Sequence, residues 1–259
     1  MLEEGRDAHV EFDRVHMAFG DREVFRALSC RFPRGRISVI LGGSGSGKST
    51  ILRLIGGLVR PQGGSIRVDG DEITRRSETE MYAVRKKLGM MFQGGALLDS
   101  LTIFDNVAFP LREHTAMSDP AIAEAVHQSL AAVGLTDVDA LFPGQLSGGM
   151  VKRAALARAI IRKPVILLCD EPFSGLDPVS VRMIEALLAG LNRQLQVTML
   201  VVSHHIASTM RLADWVTLLL PDGAVEGPPA DLRRSSDPRI VDFLDEGADG
   251  GRTAAEARP

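Results

Sequence analysis

The stretch Gly42-Gly43-Ser44-Gly45-Ser46-Gly47-Lys48-Ser49-Thr50 restricts what this chain can fold into more than any other. An apolar run, Ile37-Ser38-Val39-Ile40-Leu41, precedes it, and an apolar helical pattern from Ile51 to Leu58 follows. Strand, glycine loop and helix, in that order, are the setting of a loop that cradles phosphate. Glycines let backbone N–H groups turn inward with no Cβ in the way. Those amides and the helix N-terminus make an anion-binding concavity. Lys48 is expected to reach the β- and γ-phosphates of a nucleoside triphosphate, and Ser49 to place its hydroxyl on Mg²⁺. A flexible Gly/Ser linker has similar composition, but linkers are not bracketed by two apolar runs.

The 259 residues suit one large domain or two small ones, and 45% hydrophobic with 24% charged residues supply an ordinary core. A net charge of −3 and a pI near 6.1 give no basic face for nucleic acid. Cys30 and Cys169 each lie in an apolar strand-like run, so they read as small buried hydrophobes, not as a disulfide or metal framework. Residues Met1 to Asp7 are acidic and lack the apolar segment of a secretory signal. No run approaches the ~20 apolar residues that span a bilayer. The expectation is a soluble, cytoplasmic protein whose membrane role, if any, comes through a partner.

Along the chain, Val10 to Val15 alternates as a half-buried strand does, and Met17 to Asp21 reads as a hairpin turn. A second strand runs through Phe25, Leu28 and Phe32, and Ser65 to Gly70 is a short strand with an Asp-Gly turn. Arg75 to Lys87 reads as an exposed helix. Leu88 to Phe92 is a buried strand ending at Gln93, a place where ligand contacts sit in open α/β sheets. From Leu97 to Arg162 the pattern is helical, with Asp119 as an N-cap before Pro120, and it reads as a helical subdomain inserted in an α/β core. Within it, Ser147-Gly148-Gly149 at a helix start is a second anion site by the same physics. Two phosphate sites in separate lobes suggest that each nucleotide is shared between two chains.

Val165 to Cys169 is a buried strand ending in Asp170-Glu171. Adjacent carboxylates there suit Mg²⁺ coordination by the first and base work by the second. Asp177 caps the next helix, whose buried face is expected to carry Met183, Ile184, Leu187, Leu188 and Leu191. Val197 to Val202 is a strand ending at Ser203-His204-His205, where His204 can bond a γ-phosphate or hold the attacking water. A hairpin around Asp222-Gly223 and a helix at Pro238 to Leu244 close the domain, expected at 8–245, with 246–259 as a flexible tail.

Taken together, these motifs resemble the ABC transporter ATPases from about Val10 to Gly250. Gly42 to Ser49 matches the Walker A loop, Gln93 the Q-loop glutamine, and Leu146-Ser147-Gly148-Gly149-Met150 the signature motif. Val165 to Asp170 matches Walker B, with Glu171 in the place of the catalytic glutamate. Ser174 to Asp177 matches the D-loop and His204 the switch histidine, while Phe19 falls where an aromatic stacks on adenine. The implied fold is a P-loop NTPase (RecA-like) α/β core with an N-terminal antiparallel β subdomain and an inserted helical subdomain. Three positions depart from the common pattern. Met150 replaces Gln, His205 replaces Asp, and Phe19 replaces Tyr, whose ring face alone is needed for stacking.

The resemblance implies a head-to-tail homodimer with Mg²⁺ and ATP. Each ATP would lie between the Gly42–Thr50 loop of one chain and Ser147, Gly148, Gly149 and Asp177 of the other. Mg²⁺ would be held by Ser49, Gln93 and Asp170, with Lys48, Gln93, Glu171 and His204 serving catalysis. Phe92 to Leu98, Phe104 to Thr115, Asp170 to Phe173, Asp237 to Arg239 and Phe243 to Asp245 also resemble the ATPase subunits of MCE-type lipid transporters. That narrower likeness implies an integral-membrane permease, an MCE-domain lipid-binding protein and a small STAS-domain protein as partners, at the cytoplasmic side of the inner membrane. Helices near Leu97 to Arg112 would pass motion to the permease. A polar-solute importer uses the same catalytic residues and is the alternative. A soluble relative acting on ribosomes or DNA would need a second cassette, a coiled-coil insertion or a basic patch, and the chain has none of these in its pattern.

Overall fold

The computed structural model describes residues 8–249; the acidic start at 1–7 and the last ten residues of the expected tail lie outside the described residues. The chain divides into two compact units, Met1–Ser77 with Leu200–Pro259, and Glu78–Met199.

The first unit opens with β1 (Ala8–Phe19) and β2 (Arg22–Pro33), an antiparallel pair closed by a turn at Gly20-Asp21. The strand expected at Val10 to Val15 continues to Phe19, with Val10, Phe12, Val15 and Met17 buried. A register shift between Phe12 and Val15, where Arg14 takes φ 46°, changes the parity so that both apolar pairs face inward. β3 (Ile37–Gly42) is buried along its whole length, as a strand covered on both faces must be. α1 (Lys48–Ile55) starts three residues before the expected apolar pattern, so Lys48, Ser49 and Thr50 form its first turn. β4 (Gly63–Val68) and the two-residue β5 (Asp71–Glu72) complete a sheet in the order β2-β1-β4-β5.

In the second unit, α2 (Glu78–Arg85) occupies the middle of the stretch expected to be an exposed helix, yet Met81 and Val84 are buried on one side. β6 (Leu88–Met91) pairs in parallel with β7 (Ile166–Asp170). Between them lie α3 (Ile103–His114), α4 (Asp119–Ala132), a 3-10 turn at Pro143–Gln145 and α5 (Gly148–Ile160). The N-cap of α4 is Ser118, not Asp119. Ser118 keeps the extended backbone (φ −70°, ψ 154°), and Asp119 becomes the first helical residue, where a carboxylate suits the helix dipole. α6 (Pro178–Leu195) buries Val181, Ile184, Glu185, Leu188 and Leu191. Met183, expected inside, is 51% exposed, and Leu187 is half-buried. The stripe 181/184/188/191 follows the helical period, which turns positions 183 and 187 onto the next row round.

β8 (Thr198–Val202) begins in the second unit and ends in the first. α7 (Ile206–Leu212), β9 (Trp215–Leu220) and β10 (Gly223–Gly227) follow, with β9 parallel to β3 and antiparallel to β10. α8 (Pro229–Arg233) and α9 (Pro238–Asp249) close the chain, and α9 runs five residues beyond the expected Leu244. Cys30 and Cys169 are free and buried, and burial pushes the Cys169 thiol up to about 12. Among the described residues no helix is long and apolar enough to cross a membrane.

Glu226 on β10 ties three strands of the first unit together. Its Oε1 accepts from Arg31 N at 2.9 Å, Thr217 Oγ1 at 3.2 Å and Trp215 Nε1 at 3.5 Å. Desolvation raises its pKa, against the lowering pull of those donors and the Arg31 guanidinium. A carboxyl whose folded pKa is raised binds more protons folded than unfolded, so its contribution is fully present below the unfolded value of about 4.3. That contribution is lost as pH rises toward the raised folded value. Glu226→Gln removes this titration. The melting temperature of the variant relative to the native chain is expected to rise between about pH 4 and pH 7. Thermal melts across that range check it, and a difference independent of pH would refute the assignment.

Candidate functional site

In the first unit the glycine loop leaves the buried end of β3 and closes onto α1 through Gly47, which caps the helix at φ 94°. A Cβ on Gly47 would sit 2.6 Å from the Phe25 ring and from Val24 Cγ1, and one on Gly42 would sit 2.6 Å from Ser46 Oγ. The loop therefore wraps as closely as its side chains allow. Lys48 Nζ donates to the carbonyls of Gly42 (2.8 Å) and Gly43 (2.9 Å), which hold the ammonium over the loop. Ser46 Oγ is buried and has no hydrogen-bond partner among the described residues. A buried hydroxyl left so is costly unless a ligand supplies the partner. The loop thus fits the phosphate chain of a nucleotide.

Two neighbours frame it. Phe19, at the end of β1, is 45% exposed and pairs in register with Arg22, whose Nη2 donates to Gly45 O at 3.2 Å. The hairpin end that carries the aromatic is thus fastened to the phosphate loop. Arg22 escaped the sequence reading because an exposed arginine after a turn carries no motif. Ser203 N, just past β8, donates to Ile40 O in β3 at 3.3 Å, so His204 leaves its strand beside the end of β3 that feeds the loop. The His204 and His205 rings lie 4.5 Å apart, and His205 caps α7 by accepting at its carbonyl from Thr209 N and Thr209 Oγ1, both at 3.0 Å. Histidine at 205 therefore serves the helix start through its backbone.

In the second unit the parallel register Met91↔Cys169 is followed two residues later on each strand by Gln93 and Glu171, just beyond the ends of β6 and β7. Asp170 and Glu171 are both buried, at 8% and 9% exposure, and Glu171 takes φ 49°. That conformation is uncommon outside glycine and is a mark of sites where the surroundings dictate the backbone. Lys152 on α5 is buried against them. Burial lowers its pKa, and the Glu171 and Asp170 carboxylates oppose that shift. Spacing gave no hint of Lys152, since a lysine three residues after Gly149 also suits a solvated helix face.

Ser147 is the N-cap of α5, accepting from Met150 N at 3.3 Å, so Gly148 and Gly149 open the helix with free-standing N-terminal geometry for an anion. A Cβ on Gly148 would lie 3.8 Å from Leu176, and one on Gly149 3.7 Å from Ser180 Oγ. The glycine turn and the 174–177 turn therefore share one surface. The Asp177 carboxylate accepts from Val179 N, Ser180 N and Ser180 Oγ, which commits it to capping α6 and holds its pKa low through those bonds, that from the Ser180 hydroxyl foremost. The turn after Gln93 is gripped twice. Arg158 Nη1 and Nη2 donate to Ala96 O and Gly95 O, both at 2.9 Å. Asn106, wholly buried on α3, accepts from Leu98 N at 2.7 Å and donates to the carbonyls of Leu98, Leu101 and Thr102.

Among the described residues no cluster of three or more His, Cys, Asp or Glu side chains could hold a metal by itself. Oxygen donors of the kind Mg²⁺ takes are present in each unit nonetheless, the Ser49 hydroxyl in the first and the Gln93 amide and Asp170 carboxylate in the second, and that ion keeps several waters and needs only one or two carboxylates with substrate phosphates.

Comparison with known proteins bears on the same residues. The family described as ABC transporter matches residues 25–174. The chain is 43% identical to the intermembrane phospholipid transport system ATP-binding protein MlaF of Haemophilus influenzae, over 93% of this chain and 92% of that one. It is 42% identical to a protein of Mycobacterium tuberculosis named probable ribonucleotide transport ATP-binding protein mkl, over 91% of this chain and 66% of that one. A solved dimer of the ATP-binding cassette MJ0796 in a post-hydrolysis state, bound to ADP and Pi, superposes with a TM-score of 0.77 at 30% identity, covering 85% of this chain and 98% of that one.

Proposed function

The chain belongs to the ABC transporter family, and on that premise we propose that it is the ATP-hydrolysing subunit that energises phospholipid transport through a membrane permease. One observation carries the lipid reading. The likeness to MlaF runs through nearly the whole chain, well beyond the part that the general family matches.

On this reading two copies associate head to tail; that the cassette MJ0796 forms a dimer supports the pairing of two copies. ATP lies on the Gly42–Thr50 loop of one copy, with its adenine on Phe19, and its γ-phosphate meets Ser147, Gly148 and Gly149 of the other. Asp177 serves by holding the turn beside those glycines through its cap. Ser49, Gln93 and Asp170 would hold Mg²⁺, which would supply neutralising positive charge to the phosphates. Lys48 stabilises the charge that grows on the transferred group. Glu171 orients the attacking water and accepts its proton, and His204 donates to a γ-phosphate oxygen. The turn after Gln93, braced on α3 by Asn106, carries the resulting movement toward the permease. The partners are then a permease, an MCE-domain lipid-binding protein and a small STAS-domain protein, with this chain on the cytoplasmic face of the inner membrane.

The test is affinity purification of the tagged chain from its native membrane in mild detergent, with proteins and lipids identified. A permease with an MCE protein and phospholipid is the expected result. A permease with a polar-solute-binding protein would replace the lipid reading by a polar-solute importer. Ribosomal or DNA-repair proteins without a permease would overturn the transport reading itself.

A further inference from the structure

We propose that Lys152 is a positioning residue whose buried ammonium fixes the backbone of Glu171 and ties it to the helix that starts at Ser147, Gly148 and Gly149. The inference rests on the role given above to Glu171.

Lys152 lies one turn into α5, four residues after Gly148, and is only 5% exposed. Lysine is almost never buried to that degree unless it is paired. Its Nζ donates to Glu171 O at 3.3 Å and to Ser174 Oγ at 3.3 Å. Ser174 adds two more donors to the same oxygen, its Oγ at 3.0 Å and its N at 3.2 Å. Three donors thus converge on one carbonyl, and that carbonyl belongs to the residue held at φ 49°. A left-handed backbone persists in a non-glycine residue only where the surroundings over-determine it. Lys152 and Ser174 are those surroundings. A methionine or leucine would fill the same space between α5 and the end of β7, so packing alone does not call for an ammonium at this place.

The consequence concerns two ATP molecules. In a head-to-tail dimer the Ser147–Gly149 turn of one chain meets the nucleotide lying on its partner's loop. Glu171 of that chain works on the nucleotide lying on its own loop. Lys152 joins these two elements inside one chain. Seating of the α5 N-terminus at one nucleotide is therefore felt, through one lysine, by the carboxylate that acts at the other.

The experiment uses the full chain co-expressed and purified with its permease, measuring steady-state ATP hydrolysis and binding of trinitrophenyl-ATP. Lys152→Met keeps the volume and removes the charge. It is expected to lower kcat roughly 10- to 100-fold, as a small misplacement of a reacting group does, with KM and analogue binding changed less than about twofold. The Hill coefficient for ATP should fall toward one. Ser174→Ala, which removes a donor to the same carbonyl, should lower kcat by a smaller factor, and the double variant should lose less than the product of the two. Should Lys152→Met not fold, Ser174→Ala carries the test by the same split between kcat and KM. A Lys152→Met protein with native kcat, or one that loses only thermal stability, overturns the proposal. Glu171→Gln in the same complex separates the two levels. If it retains turnover, the role of Glu171 falls and this inference with it. If it stops turnover while Lys152→Met does not, this inference alone falls.

Discussion

Glu171→Gln should leave ATP bound and stop its hydrolysis. Glutamine has the volume of glutamate and keeps an acceptor oxygen, so the buried pocket at the end of β7 stays filled. It also accepts φ 49° about as readily as glutamate does, so the backbone under Lys152 and Ser174 has no reason to move. What is lost is a negatively charged base. General-base catalysis contributes about 10²–10⁴-fold, and kcat should fall by that order. ATP affinity should remain within about threefold, since the loop and Lys48 contribute to binding independently of the base. Single-turnover hydrolysis alongside equilibrium binding separates the two effects. Undiminished hydrolysis would remove Glu171 from the mechanism.

Gly47→Ala should damage binding and folding together. The residue caps α1 at φ 94°, a region that a Cβ penalises by about 1–2 kcal/mol. The added carbon would also stand 2.6 Å from the Phe25 ring and Val24 Cγ1. Phe25 is buried on β2, so its ring must shift to make room. Overpacking of that kind costs about 1–3 kcal/mol more. The loop must shift to relieve it, which should weaken ATP binding, and a displacement near 1 Å at a phosphate cradle should slow hydrolysis by about 10²-fold. Calorimetric titration with ATP and a thermal melt read both losses. Gly144→Ala is the control, because a Cβ there meets nothing within 4 Å. Equal behaviour of the two variants would mean that the loop is looser than its contacts imply.

The parts of the site that could be read from the sequence are those built by neighbours in the chain. Gly42 to Thr50 announces itself because strand, loop and helix are consecutive, and Asp170-Glu171 because the strand before it is uniformly apolar. Lys152, Arg158 and Arg22 were invisible for the opposite reason. Each acts on a backbone carbonyl 19 to 63 residues away, and a carbonyl has no letter in the sequence. Helix faces were read less well than helix positions. Met183 and Leu187 are apolar and spaced plausibly, but which row of α6 turns inward depends on the partner surface, and that chose Glu185 with Ile184 and Leu188. The cap of α4 slipped by one residue because Ser118 and Asp119 are both good caps, and the dipole favours the acid inside the first turn. Asp177 is the cap that its place before Pro178 predicts, with both carboxylate oxygens accepting from the first turn of α6.

Asn106 has a mechanical meaning as well. Its single side chain welds residues 98, 101 and 102 to α3, so this irregular stretch cannot act as a joint. Stretch and helix together form a crank arm. At its near end Arg158 holds Gly95 and Ala96, next to the turn bearing Gln93. A load on the exposed Phe109 of α3 would therefore pass into residues 98 to 102 through Asn106 and on toward the turn that Arg158 holds.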